Sequence, residues 1–110
     1  MKTLLIPIVC SALLGFASAS QAADAKANYK THCASCHGND GKAKTRAGRI
    51  AGAKDLTVKA YQDLFTDEQM VQRLKDGVID KGKEKMKPFK EKLSDDELKS
   101  LVAFVRKFAK

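Results

Sequence analysis

The chain has 110 residues, with 21 Lys and Arg against 13 Asp and Glu and a formal charge of +8. That length excludes more than one or two compact domains. Only 6% of the residues are aromatic and no nucleic-acid-binding motif is present, so the basic excess points to acidic protein partners and not to nucleic acid.

The first stretch reads as an export signal. Met1-Lys2 gives a basic start, and Leu4 to Ala17 runs mostly apolar but is broken by Pro7, Ser11 and Gly15. This is too short for a membrane span, which needs about 20 apolar residues. Ser20-Gln21-Ala22 and Ala17-Ser18-Ala19 both suit a signal peptidase, and cleavage after Ala22 is expected. Residues 1–22 are then a secretory signal peptide and 23–110 one working domain, periplasmic and without stable membrane insertion. Cys10 leaves with the signal, so Cys33 and Cys36 are the only cysteines retained. A domain this small is marginal on side-chain packing alone and needs a staple, a metal or a cofactor.

Asp24 to Cys36 reads as a helix, with Ala25, Tyr29 and Cys33 at four-residue steps. Gly38 to Asp55 reads as a glycine-rich loop, and Leu56 to Leu64 as a short helix or turn. Thr66 to Asp76 is a clearer helix: Thr66 and Gln69 form a capping box, and Gly77 stands where a helix ends. Val78 to Leu93 is a lysine-rich connection without helical period, carrying Met86 and Pro88. The last helix is the best determined. Ser94 and Glu97 cap it, and Leu98, Leu101, Val102, Val105 and Phe108 form its apolar stripe. No strand pattern competes. The expected fold is all-α, with three main helices joined by long loops.

The chemistry concentrates in Cys33-Ala34-Ser35-Cys36-His37, the spacing of a c-type haem attachment site. On a helical turn Cys33 and Cys36 leave one face, and His37 shares it at i+4 from Cys33. Two thiols can then hold the edge of a flat macrocycle while an imidazole sits beneath its iron. A closed site needs a second axial ligand, for which His32, Met70 and Met86 are the candidates. His32 adjoins the proximal segment and cannot reach the opposite face. Met70 suits the packed face of its helix. Met86, in a loop ahead of Pro88-Phe89, is free to aim its thioether inward, and Met/His is an established haem ligation.

These residues resemble the small class I cytochromes c, especially the soluble bacterial ones similar to cytochrome c6 and to the c-type domains of terminal oxidases. The resemblance runs from Asp24 to Lys110 and rests on Tyr29, Cys33 to Gly38, Asp40-Gly41, Met86-x-Pro88-Phe89 and Lys92-Leu93-Ser94. It implies a cytochrome c-like fold wrapped around one covalent haem c. By the same resemblance, Cys33 and Cys36 form thioethers, His37 is the proximal ligand and Met86 the distal one. It also implies crossed terminal helices, placing Ala25 and Tyr29 against Leu101 and Phe104. Two departures stand out. Lys87 separates Met86 from Pro88, and no proline lies between His37 and Lys87 to offer the carbonyl that orients the proximal histidine.

With both axial positions filled by protein, the expected function is one-electron transfer between redox partners, not enzymatic catalysis. The molecule is expected to be a monomer, with Lys85, Lys87 and Lys90 steering it onto acidic docking surfaces and Arg46 and Arg49 near the haem propionates. One alternative keeps the haem but makes the domain a fixed electron-entry subunit of a membrane-associated complex. A thiol–disulfide oxidoreductase using Cys33 and Cys36 would need a βαβ pattern, which is absent. A zinc module would crowd His32, Cys33, Cys36 and His37 into six consecutive residues without the usual spacer.

Overall fold

A computed structural model describes residues 17–110. The apolar run behind the export reading lies, up to residue 16, outside the described residues. Helix α1 (Ala17–His32) begins well before the expected start at Asp24 and ends one residue short of Cys33. Cys33 itself departs from regular helix at φ −119°, and a short helix α2 (Ala34–His37) carries the rest of the motif. The expected single helix is therefore interrupted at its first thiol.

The segment expected to be loop contains helix α3 (Arg46–Ala51). Thr45 caps its start by accepting a hydrogen bond from Gly48 N, and Gly52 ends it in the left-handed region. Helix α4 (Lys59–Gln62) falls inside the expected Leu56–Leu64 turn. Helix α5 (Asp67–Asp76) forms as expected, with both hydrogen bonds of the Thr66–Gln69 capping box and Gly77 at its end.

One correction concerns the lysine-rich connection. It contains two short antiparallel strands, β1 (Val78–Asp80) and β2 (Lys83–Met86). Lys81 and Gly82 join them with φ of +50° and +76°, the double positive φ of a tight hairpin turn. The register pairs Val78 with Met86 but Ile79 with Glu84, so Lys85 is the extra residue of a bulge. With β1 only Val-Ile-Asp and β2 Lys-Glu-Lys-Met, neither strand carries the period-two pattern that would reveal it. The fold class stands: mostly helical and cytochrome c-like, with this hairpin added.

Helix α6 (Asp95–Arg106) closes the fold behind a complete Ser94–Glu97 capping box. Its buried face packs across α1, as expected of the crossed terminal helices. The core joins Tyr29, Leu56, Phe89, Leu93, Leu98, Leu101 and Val105. Leu98 and Leu101 are the most deeply buried, each worth about 1.5–3 kcal/mol by removal from water. Tyr29 meets Phe104 and Phe108 with ring centroids 5.1 and 5.2 Å apart, and Asn28 donates to Glu97 across the same interface at 3.1 Å. Gln62, only 2% exposed, is the buried polar residue among those described. Its amide donates to the carbonyls of Leu56 and Val105 at 2.6 and 2.9 Å, tying the middle of the chain to the end of α6.

Candidate functional site

The turn bearing Cys33, Cys36 and His37 is held by its carbonyls. A helix end leaves such carbonyls without internal partners, and here each finds a donor. Gly38 N donates to Ala34 O at 2.8 Å, and Ala43 N to His37 O at 2.8 Å. The Thr45 hydroxyl shares its proton between Ser35 O at 2.7 Å and Cys36 O at 3.0 Å. The buried Tyr29 hydroxyl donates to Gly38 O at 2.6 Å. Gly48 presses so closely on the Cys36 carbonyl that a Cβ there would collide with it. Thus α1 grips the turn from one side and the start of α3 from the other.

His37 is half-buried, and its Nδ1 lies 3.0 Å from Lys54 O. In the tautomer that donates there, Nε2 is left free as a ligand atom. A second hydrogen bond of this kind fixes ring orientation and raises ligand basicity. The missing proline is answered here: Ala53 N donates to Gly48 O at 2.8 Å and Leu56 N to Gly41 O at 2.7 Å, holding the Lys54 carbonyl in place from both flanks. Burial pushes the imidazole below its ordinary pKa, an effect partly opposed by the Lys54 bond. A neutral imidazole is the metal-binding form.

Cys33 and Cys36 are both free thiols and half-buried. Burial, followed by the neighbouring Cys36, raises Cys33 to about 11. It is therefore a protonated thiol at neutral pH. The oxidoreductase alternative lacks its usual setting, since the described elements form no βαβ unit. Among the described residues no three His, Cys, Asp or Glu side chains group as a metal site. The ring of His32 packs edge-on against Phe89, with centroids 5.5 Å apart.

The other candidate ligands lie further along the chain. Met86 ends β2, and Met70 sits in α5. Both are half-buried and pack against the core, as do Val71 and Leu74. The six lysines of the 81–92 segment are exposed, as are Lys42, Lys44, Arg46, Arg49 and Lys54. Arg49 donates to Lys44 O at 2.8 Å. Sequence reasoning missed Thr45, Gly48 and Lys54 as supports, although Thr45 and Gly52 already marked the two ends of a helix.

Two thiols and an oriented imidazole on one turn, with two thioethers and apolar side chains against the core, form a donor set that fits a covalently attached haem. Residues 20–105 match the family described as cytochrome C oxidase, cbb3-type, subunit III. A solved structure, the KustC0563 c-type cytochrome, is 36% identical over 79% of this chain and 99% of its own, with a TM-score of 0.67. A tyrosine-to-phenylalanine mutant of Kustc0563 is likewise 36% identical, over 77% and 98%, with a TM-score of 0.68. No curated protein matches. The chain belongs to the cbb3-type subunit III family of cytochrome c domains and is a small class I c-type cytochrome, an electron carrier whose family implies covalently bound haem c.

Proposed function

We propose that this domain is an exported one-electron shuttle with one haem attached through Cys33 and Cys36, ligated by His37 on the proximal side and Met86 on the distal side. The observation that carries this reading is the His37–Lys54 hydrogen bond: it fixes the ring and frees Nε2 beside two unbridged thiols. Bound haem supplies an iron that cycles between the ferrous and ferric states. The chain's own part is to hold the ligands. Tyr29 and Thr45 keep the attachment turn in one geometry, and the Lys54 carbonyl keeps the imidazole basic. A neutral thioether from Met86 favours the reduced iron and raises the potential. His37 and Met86 together would hold the bound haem and leave it no site for oxygen or peroxide, which suits a carrier and not an enzyme.

The test is the visible spectrum of protein made in a host with a cytochrome c maturation system. An intense Soret band with sharp α and β bands on reduction is expected, and a colourless protein overturns the reading. Met86→Ala should lose the weak thioether-to-iron band at the red end of the ferric spectrum and lower the potential. A band that survives in that variant assigns the distal ligand elsewhere, with Met70 the next candidate.

The exposed lysines of the hairpin segment favour acidic docking partners. Among the described residues, none of the six forms an ion pair. Electron transfer to an acidic partner should slow as salt rises toward physiological strength, where the screening length falls to about 8 Å. A rate flat in salt removes steering. A second reading, a fixed electron-entry subunit, is favoured by the family description, which names an oxidase subunit. Among the described residues no helix is long and apolar enough to cross a membrane. Release into the periplasmic fraction marks the shuttle, and co-purification with a membrane oxidase marks the subunit.

A further inference from the structure

The loop that ends in Met86 leaves and re-enters the fold at a single place, the C-terminal end of α5. Gly77 N donates to Arg73 O at 2.8 Å and closes the helix. The chain then makes the hairpin and returns, with Phe89 N donating to Leu74 O at 2.9 Å and Lys90 N to Lys75 O at 3.4 Å. Between these anchors the backbone of Met86–Pro88 lies directly on Gly77. A Cβ at Gly77 would stand 2.5 Å from Met86 O, 2.9 Å from Pro88 N and 3.0 Å from the Lys87 carbonyl carbon. All three are backbone atoms and cannot swing aside as a side-chain tip can. The bulge at Lys85 adds a second constraint. One extra residue reverses the face on which the next side chain emerges, and bulges are used to re-aim side chains beside functional sites.

We propose that Gly77 is a positioning residue for Met86: the bare glycine at the end of α5 is the seat on which the Met86 backbone rests, and it sets how far that thioether reaches. The proposal rests on Met86 being the distal ligand. Any side chain at position 77 lifts the loop. For the Met86 carbonyl to withdraw from 2.5 Å to the 3.4 Å of ordinary contact is a movement of about 0.9 Å. A ligating constellation is held to within about 0.5 Å, so the thioether should leave its place.

The hairpin supplies its own control. Gly82 has φ +76° against +74° at Gly77, yet a Cβ there meets nothing within 4 Å. Alanine at either position meets a positive φ, to which the ψ of −172° adds strain at Gly77, and only at 77 does it strike the Met86 loop. The experiment compares Gly77→Ala, Gly82→Ala and Met86→Ala as ferric holo-proteins, reading the red-end thioether band and the affinity for added imidazole, which takes the position that a displaced thioether leaves. Gly77→Ala should lose at least half of the band and bind imidazole about fiftyfold more tightly, the gain expected if the open fraction rises from about 1% to about 50%. Gly82→Ala should match the wild type in both. Equal behaviour of the two alanine variants overturns the seat while leaving the Met86 ligand reading intact. Retention of the band in Met86→Ala overturns the ligand reading and the proposal with it. If Gly77→Ala does not accumulate with haem, Gly77→Asn, which tolerates positive φ better and still places a Cβ against the Met86 carbonyl, carries the test. That variant should likewise lose the band and gain imidazole affinity, and wild-type behaviour in it overturns the proposal.

Discussion

Tyr29→Phe isolates one hydrogen bond at the attachment turn. The ring is 2% exposed and packs on Phe104 and Phe108, contacts that phenylalanine keeps. What disappears is the hydroxyl that donates to Gly38 O at 2.6 Å. That carbonyl also accepts from Gly41 N at 3.2 Å, so the substitution does not orphan it. The cost should therefore be that of one net hydrogen bond, about 0.5–1.5 kcal/mol. In a domain of this size about 1 kcal/mol moves the melting temperature by about 4–8 °C. Burial, then Cys33 and Asp40, push the phenol above its ordinary pKa, so it remains a donor well into alkaline solution. Tyr29→Ala removes the ring as well and should cost about 3–5 kcal/mol, the range for truncating a buried aromatic. The assay is thermal unfolding of the holo-protein, followed by circular dichroism and by the Soret band. A Tyr29→Phe variant that melts with the wild type, or with Tyr29→Ala, refutes the division of labour between hydroxyl and ring.

Gln62→Leu should destabilise by about 2–4 kcal/mol, since it leaves Leu56 O buried without a donor and removes a second bond to Val105 O, which keeps Phe108 N. Denaturant unfolding measures this, and a loss below about 1 kcal/mol would show that solvent reaches that carbonyl. Acid should weaken the fold through Glu97, Asp55 and Asp95. Glu97 is held below its usual range first by Ser94 N and then by Asn28, Asp55 by Thr57, and Asp95 by Lys75. Depressed folded values mean that the unfolded chain takes up protons first. The stabilisation is thus present above the ordinary carboxylate range, near pH 4, and is lost as pH falls through the lower folded values. Glu97→Gln keeps a side chain able to close the capping box, so its melting temperature should fall less between pH 4 and pH 2. An unchanged decline removes Glu97 from the account.

The parts of this fold that could be read in the sequence are those whose physics is local. Each capping box occupies four residues, and Thr66–Gln69 and Ser94–Glu97 both form. The stripe of α6 announces its buried face, and Cys33 to His37 announces its cofactor. The hairpin was hidden because its strands are short and show no alternation: β1 is Val-Ile-Asp, β2 is Lys-Glu-Lys-Met, and only Gly82 hinted at a turn. Helix α3 was obscured by the internal Gly48, which costs helix propensity but permits close approach to Cys36 O. The acceptor for His37 is a backbone carbonyl, a group that every residue owns. Lys54 is chosen by where the chain lies, which no residue type at position 54 reveals. Gln62 shows the same limit, since a glutamine usually lies at the surface and here reaches two carbonyls in the core.

The pairing of α1 with α6 also sets an order of assembly. Synthesis proceeds from the N-terminus, so the attachment turn exists long before Leu98 and Leu101 do. Until the last helix arrives, Tyr29 has neither Phe104 nor Phe108 behind it, and the Asn28–Glu97 bond, between residues 69 positions apart, cannot form. Joining such distant segments carries the full entropy of closing a long loop, and contacts of this separation form late. The growing chain therefore presents Cys33, Cys36 and His37 on an open, unwalled segment, accessible to whatever delivers the macrocycle. Completion of α6 shuts that window. A chain stopped before Ser94 should keep its thiols in reach of alkylating reagents for longer than the full chain, because it lacks the α6 side chains that back Tyr29.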